Sequence, residues 1–290
     1  MKKAAPFGAA FLVISGETRN FASKIGVPMK IKSILPIVLA CILIAPRLSM
    51  ASTDTIYGKF SISPTQQIHF ASGNLQYQST TKIWRFAEHQ WDYIGEANKN
   101  TSSTYDGWID LFGWGTGSNP TNVFMDEGAY TIFSDWGDNI ISNGEGLHWR
   151  TLTNDEWDYV FNERKTVSGI RFAKAKVNGV NGVILLPDDW SNTIYRIKYA
   201  NKEKADFSSN TLSASKWSNL EQEGAVFIPA AGCRWGTEAN HTGSYGYYWS
   251  STVYSNLDSC GVFFDNCSLL PQSVLLKEYG FSVRLVCPAE

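Results

Sequence analysis

Hydrophobic and polar positions alternate along several short stretches of the chain, as they do in strands that bury one face. Four such stretches follow one another near the start of the polar part of the sequence: residues 59–63, 67–70, 75–78 and 83–86. The last two flank a short polar segment, which predicts a hairpin. Residues 183–187 and 225–229 are continuously apolar and each end at a proline, which predicts two strands buried on both faces.

One segment, residues 154–164, carries a helix pattern with its own start signal. Thr153 precedes it and Glu156 stands three positions later. This spacing predicts a capping box, in which the two side chains each accept a backbone N–H of the first turn. The apolar positions then fall on one helix face: Trp157, Val160 and Phe161.

The rest of the chain predicts short strands and long loops. A second helix is expected at residues 215–223, where Gly224 ends it. Residues 95–146 are rich in Gly, Asn, Asp and Trp and predict an irregular region held by four aromatic side chains: Trp108, Phe112, Trp114 and Trp136. Further strands are expected at three places: residues 247–250, 262–264 and 281–286. Alternation predicts that Val262 and Phe264 point inward and that Phe263 and Asp265 point outward, and it places Phe281, Val283 and Leu285 on one face. Few helices among many short strands predict an α+β fold and a single domain over residues 55–288.

The N-terminal 51 residues do not share this pattern. Residues 29–51 resemble a secretory signal, with Lys30 and Lys32 before an apolar run at 34–46 and small residues at Ser49 and Ala51. The run is shorter than the ~20 residues that cross a bilayer. We therefore expect residues 1–51 to be removed and the mature protein, without a transmembrane segment, to be extracellular or on the cell surface. Lipoprotein anchoring at Cys41 is a weaker alternative, because the apolar run continues beyond it.

Composition narrows the possible functions. The chain has a formal net charge of −2, with 43% hydrophobic and 18% charged residues. A buried core is therefore expected, and nucleic acid is not expected as a partner because phosphate contacts need a basic surface. Aromatic residues make up 14% of the chain.

The cysteines and histidines do not indicate a metal cofactor. Removal of the signal segment would leave Cys233, Cys260, Cys267 and Cys287, which can form two disulfides or remain free thiols. No two of them have CxxC spacing, and the histidines lie far from them in sequence, so a zinc cluster and any other cofactor are not expected.

Several motifs resemble a known group of proteins. Residues 149–159 (WRTLTNDEWDY) resemble the helix start of formylglycine-generating enzymes, and residues 280–285 (GFSVRL) resemble their closing strand. A closer resemblance is to exported gut-bacterial proteins of C-type-lectin-like fold, and five motifs carry it: residues 70–77 (FASGNLQY), 149–157 (WRTLTNDEW), 181–190 (NGVILLPDDW), 224–232 (GAVFIPAAG) and 246–251 (GYYWSS). The resemblance implies a C-type-lectin-like fold with few helices, short antiparallel strands and long loops.

Some proteins of this wider group are the variable proteins of diversity-generating retroelements. In these, adenine-directed mutagenesis of mostly AAC codons changes displayed residues near the C-terminus and cannot produce Met, Trp, Lys, Glu or Gln. Residues 253–270 contain none of these five residue types. The resemblance implies a non-catalytic protein that binds an unidentified protein or glycan ligand at the cell surface. The ligand-binding residues it implies are Val253, Tyr254, Asn256, Asp258, Cys260, Phe263, Asp265, Cys267, Leu270, Ser273 and Leu275.

Three alternatives compete with a binding surface. A formylglycine-generating-type oxidase would bind copper through Cys260 and Cys267, although their spacing is wider than in that family. A structural surface or fimbrial component would need a donor strand, and no spare strand follows Val286. A calcium-dependent sugar site is not indicated, since the motifs of true C-type lectins are missing and Asp188 and Asp189 are better explained by a turn. Three tryptophans within the motifs are expected in the core: Trp149, Trp157 and Trp249.

Overall fold

A computed structural model describes residues 56–125, 130–144, 146–191 and 195–290. These residues belong to one compact unit that spans Ser49–Glu290. The expected signal segment and Cys41 lie outside the described residues.

The described part of the chain is rich in short strands and has few helices, so the α+β class expected from sequence is confirmed. Helix α1 spans Asn154–Asp158 and continues as one π-helical turn over Tyr159–Glu163, and helix α2 spans Ala214–Gln222. The strands are β1 (Phe60–Ser61), β2 (Gln67–Phe70), β3 (Leu75–Gln78), β4 (Ile83–Phe86), β5 (Trp108–Ile109), β6 (Phe172–Val177), β7 (Val180–Leu185), β8 (Thr211–Leu212), β9 (Val226–Pro229), β10 (Cys233–Trp235), β11 (Glu238–Asn240), β12 (Gly246–Val253), β13 (Asp258–Phe264), β14 (Leu269–Leu276) and β15 (Val286–Pro288).

These strands form small sheets in the orders β1-β2-β15, β4-β3-β5, β8-β6-β7-β9, β10-β11 and β12-β13-β14. All named pairs are antiparallel except β6 with β8. The predicted hairpin of β3 and β4 is confirmed, with Leu75 opposite Phe86. The two continuously apolar runs are also confirmed as neighbouring buried strands, β7 and β9.

Two of the predicted strands are shorter in the structure. The alternation at residues 59–63 yields only the two-residue strand β1. Within residues 281–285, Phe281 and Ser282 form only isolated bridges and the other three residues belong to no strand, so that β15 begins at Val286. Phe281, Val283 and Leu285 do share one core cluster, as predicted, but Val286 belongs to another. The segment therefore passes between two cores and is buried on both sides, so it is not the half-exposed strand that alternation suggests.

The capping box at α1 is confirmed. Thr153 Oγ1 accepts the Glu156 N–H at 3.2 Å, and Glu156 Oε2 accepts the Thr153 N–H at 2.8 Å. The Arg150 guanidinium donates to both carboxylate oxygens of Glu156 at 2.7 Å. Burial alone would raise the pKa of Glu156, but these hydrogen bonds outweigh it and lower the pKa. The predicted apolar stripe is buried in the first core cluster: Trp157, Val160 and Phe161.

The irregular region is held by aromatic packing, largely as predicted. Phe112, Trp114 and Trp136 are buried in the second core cluster. Trp108 is only partly buried, and the Arg85 guanidinium lies 3.6 Å from the centre of its ring. The expected core positions of the motif tryptophans are confirmed too, since all three are buried: Trp149, Trp157 and Trp249.

Candidate functional site

The β12-β13-β14 sheet carries most of the residues expected to bind a ligand. Residues paired across antiparallel strands lie on the same face of a sheet. Tyr248 opposite Val262 faces the first core cluster, where Phe264 is fully buried. Tyr247 opposite Phe263 lies on the other face and remains partly exposed. The predicted alternation along β13, with Val262 and Phe264 inward and Phe263 outward, is confirmed.

The loop between β12 and β13 exposes its side chains while other groups hold its backbone. Tyr254 is 64% exposed, and Asn256 is exposed as well. Ser255 Oγ donates to Asp258 Oδ2 at 2.8 Å. The buried Lys277 ammonium donates to the carbonyl oxygens of Ser255 at 2.7 Å and Asn256 at 3.1 Å. The loop is therefore fixed by a lysine and an Asp–Ser pair rather than by the side chains that reach solvent.

The turn between β13 and β14 has a similar construction. Asp265 Oδ1 accepts the backbone N–H groups of Cys267 at 2.7 Å and Ser268 at 2.6 Å. The Asp265 N–H in turn donates to the Ser268 carbonyl oxygen at 3.1 Å. One carboxylate thus closes the hairpin, and the Cys267 side chain is exposed at its tip.

Strand β14 is an edge strand, and every second side chain points to solvent. Leu270, Val274 and Leu276 are 48%, 48% and 42% exposed. Leu270 lies opposite Phe263 across the sheet. Nine of the residues expected to bind ligand are exposed or partly exposed: Val253, Tyr254, Asn256, Asp258, Phe263, Asp265, Cys267, Leu270 and Ser273.

The expected surface position is wrong for Cys260 and Leu275, which are 6% and 9% exposed. Cys260 lies in the central strand β13, where burial and the Asp155 carboxylate of α1 raise the pKa of its thiol. Leu275 pairs with Ser259 on the same face of the sheet as Phe263, but it packs in the second core cluster. The error arose because the whole segment was assigned to the surface, whereas the period of two in a strand sends Cys260 inward and the second core cluster covers Leu275.

Sequence reasoning missed the largest feature of the exposed face, a row of aromatic rings. Its neighbouring rings have centroids 5.7 Å (Tyr245–Phe263), 5.0 Å (Phe263–Tyr247), 4.6 Å (Tyr247–Phe281), 5.8 Å (Phe281–Tyr279) and 6.2 Å (Tyr279–Trp235) apart. We call these six residues the aromatic row. Phe281 is buried within it, and the other five rings keep part of their surface in solvent. The i, i+2 pairs Tyr245/Tyr247 and Tyr279/Phe281 were the signal in the sequence.

A groove of about 250 Å³ runs along the aromatic row. Three rings of the row line it, those of Tyr247, Tyr279 and Phe281, together with Leu275 and Cys233. Burial raises the pKa of the Cys233 thiol to about 11, so this group is a neutral, largely apolar part of the lining. The groove and its aromatic walls suit an apolar or ring-shaped part of a ligand.

The thiols do not fit a copper site of the oxidase type. Cys260 lies four residues before the end of β13, and Cys267 lies beyond that end in the turn. At about 3.3 Å per strand residue, this places the two cysteines more than about 13 Å apart along the strand. Two sulfur ligands of one metal ion must both lie within about 2.3 Å of it. All four cysteines of the described residues are free thiols.

Of the two carboxylates considered for calcium, Asp188 is held by structural partners. Asp188 Oδ1 accepts from the buried Arg164 guanidinium at 3.0 Å. Asp188 Oδ2 accepts from the Ser61 hydroxyl at 2.6 Å, the Ser61 N–H at 2.8 Å and the Gln67 amide at 2.9 Å. Both oxygens are therefore occupied by hydrogen-bond donors. Among the residues that the structure describes, no three His, Cys, Asp or Glu side chains form a potential metal site.

The comparisons with known proteins cover only part of the chain. Residues 183–286 match a family described as a domain of unknown function, DUF8237. The match begins inside β7 and ends at the first residue of β15, so it includes the β12-β13-β14 sheet and all of the aromatic row. Searches of curated proteins and of solved structures return no match. In the described residues, no helix is both long and apolar enough to cross a bilayer.

Proposed function

We propose that the protein is an exported, non-catalytic ligand-binding protein of C-type-lectin-like fold. Its binding surface would consist of the aromatic row, the loop around Tyr254 and the turn around Cys267. The aromatic row is the observation that carries the proposal. Soluble monomers seldom leave many adjacent rings partly exposed, and aromatic residues are enriched where proteins bind partners.

The construction of the two hairpin tips supports the same function. Tyr254 and Asn256 reach solvent from a loop whose backbone is held by Lys277, and Asp265 holds the turn that presents Cys267. Rigid aromatic and adaptable polar side chains on a fixed scaffold are typical of antibody-like recognition. Residues 253–270 include both tips. They contain no Met, Trp, Lys, Glu or Gln, which are the residue types that AAC mutagenesis cannot produce. A reverse-transcriptase gene and a near-copy of this coding segment beside the gene would support diversification by a retroelement.

Export to the cell surface is part of the proposal and is supported by the sequence of residues 29–51. N-terminal sequencing of the exported protein should begin near Ser52. Recovery of Met1 or Met29 as the first residue would contradict removal of the signal segment.

Binding can be tested with paired variants on arrays of cell-surface glycans and of cell-surface protein ectodomains. Tyr254→Ala and Phe263→Ala should each weaken binding of the ligand found with the wild-type protein by tenfold or more, because aromatic side chains dominate binding surfaces. Tyr57→Ala is the matched control, since Tyr57 is 63% exposed and Tyr254 is 64% exposed. A ligand that all three variants bind as well as wild type would place binding elsewhere and contradict the proposed surface.

A further inference from the structure

The groove along the aromatic row is lined by rings that are nearly parallel. Tyr279 and Tyr247 lie on either side of Phe281 in the row, with ring centroids 5.8 and 4.6 Å from that of Phe281 and ring planes tilted by only 26° and 13° to it. The centroids of Tyr279 and Tyr247 are therefore no more than about 10 Å apart. Phe281 is 3% exposed and the other two rings are partly exposed, so Phe281 forms the base of the groove.

Exposed apolar side chains extend the groove on both sides. The Trp235 ring lies 6.2 Å from that of Tyr279, with its plane tilted by only 13°, and Trp235 is 42% exposed. Val274 and Leu276 also line the groove and are 48% and 42% exposed. Adjoining apolar side chains that remain in solvent indicate an interaction surface.

The polar atoms along this part of the row are hydrogen-bond donors that have no partner. Tyr247 Oη, Tyr279 Oη and Trp235 Nε1 form no hydrogen bond with any residue that the structure describes. Burial raises the pKa of both tyrosines, and neighbouring groups raise it further, so the hydroxyls stay protonated and can donate. The indole N–H can only donate. A ligand that offers acceptors can therefore pair with three groups along the row.

The lining of the groove also limits the charge of that ligand. The described residues that line it are three aromatic residues, three aliphatic residues and Cys233, whose thiol is neutral because burial raises its pKa. A charged ligand would lose hydration there without gaining a partner of opposite charge. None of these lining residues has a carboxylate or an amide, so the donors of a ligand would find few acceptors.

We propose that the groove and the adjoining aromatic row bind a proline-rich segment of a protein in the polyproline II conformation. Such a segment offers apolar rings and carbonyl oxygens that are not used within its helix, and its prolines have no N–H donor. It therefore complements a surface that has rings and donors but neither charges nor strong acceptors. Sugar hydroxyls, by contrast, need acceptors as well as donors.

Polyproline II segments are commonly bound in aromatic-lined grooves, because this helix is already extended and loses little entropy on binding. The groove belongs to the proposed binding surface. The ligand class thus rests on the proposed function and narrows the ligand to a protein partner.

Isothermal titration calorimetry of the mature protein with acetylated L-nonaproline amide tests this ligand class. D-nonaproline is the matched control peptide, because it has the same composition and forms a helix of opposite hand. The L-peptide should bind, and the D-peptide should bind at least tenfold more weakly. Trp235→Ala should weaken binding of the L-peptide tenfold or more, since aromatic side chains dominate binding surfaces.

Two conservative variants test the hydrogen bonds without removing a ring. Tyr247→Phe and Tyr279→Phe should each weaken binding of the L-peptide about fivefold, as expected for the loss of one hydrogen bond. Their melting temperatures should equal that of wild type, because each removed hydroxyl has no partner among the described residues. Tyr57→Phe is the control for binding, since Tyr57 is 63% exposed and lies outside the row.

Four results would overturn the proline-binding groove. L-nonaproline could fail to bind, D-nonaproline could bind as tightly, or both hydroxyl variants could bind the L-peptide as well as wild type. The fourth is binding of cellohexaose without binding of L-nonaproline, which would assign the row to a glycan.

The proposed function is judged separately, by Tyr254→Ala and Phe263→Ala on the arrays. Array binding that is lost in those two variants, without any binding of L-nonaproline, would reject the proline-rich ligand and retain the binding surface. L-nonaproline binding that depends on Tyr279, combined with array binding unaffected by those two variants, would retain the groove and reject the rest of the surface.

Discussion

Phe263 and Phe264 are adjacent residues of β13 with opposite environments, and truncating each to alanine tests the assignment of the binding face. Phe264 is fully buried, with the rings of Tyr248 and Phe207 at 6.1 and 6.3 Å. Removing a buried phenylalanine side chain costs about 3–5 kcal/mol through lost burial and the cavity left behind. Phe264→Ala should therefore lower the free energy of unfolding by about that amount.

Phe263→Ala should cost less. Phe263 is partly exposed and loses two ring contacts, to Tyr247 at 5.0 Å and to Tyr245 at 5.7 Å. Aromatic pairs contribute about 0.5–1.5 kcal/mol each, so the expected cost of losing two is about 1–3 kcal/mol. At the middle of the two ranges, the losses of stability in Phe263→Ala and Phe264→Ala should differ by about 2 kcal/mol.

Equilibrium unfolding in urea, followed by tryptophan fluorescence, measures this difference. With an m-value of about 3 kcal/mol/M, a gap of 2 kcal/mol separates the two midpoints by about 0.7 M urea. Equal losses of stability in Phe263→Ala and Phe264→Ala would show that both rings are core residues. The outward face of β13 would then not be available to a ligand, and the reasoning from strand alternation would be refuted.

Three further predictions concern stability. Thr153→Ala removes one half of the capping box and should lower the free energy of unfolding by about 1 kcal/mol in urea titrations, whereas an unchanged value would contradict the role of the cap. Gly246→Ala places a methyl group about 2.1 Å from the Phe264 ring and should lower the melting temperature, and Phe264→Ala in the same chain should make that second substitution nearly neutral. Burial raises the pKa of Asp110 from 3.8 to about 6, so its contribution to stability is full below pH 3.8 and is lost as the pH rises through 6. The unfolding free energies of wild type and Asp110→Asn are compared between about pH 4 and pH 7, and Asp110→Asn should remove on the order of 3 kcal/mol of this pH dependence. Parallel pH profiles of the two proteins would contradict the raised pKa of Asp110.

Local patterns predicted much of the secondary structure because the physical causes are local. The capping box depends on two side chains three residues apart, and the β3–β4 hairpin on adjacent alternating runs. The passage of residues 281–286 between two cores could not be predicted in this way. Alternation distinguishes an inward from an outward face only where one face meets solvent, and here both faces are covered by residues distant in sequence.

The candidate site was predicted only in part for the same reason. The alternation along β13 placed Phe263 correctly, but the aromatic row joins Trp235, Tyr247 and Tyr279 from three separate segments, and no single window of sequence contains it. Lys174 was overlooked although it is fully buried among apolar residues of β6, whose sequence FAKAKV contains a second lysine, Lys176. A charged residue within a run of buried residues is informative, because burial of an unpaired charge opposes folding.

The pairing of β2 with β15 has a consequence for how the protein folds. Val286 pairs with Phe70, and the backbone N–H groups of Ala71 and Leu75 donate to carbonyl oxygens of Leu285 and Val283 at 3.0 and 2.9 Å. The earliest strands of the domain thus cannot complete their sheet until the last residues have left the ribosome. Domains dominated by such distant contacts fold slowly. A chain truncated before Val283 would lack the strand that closes its first sheet.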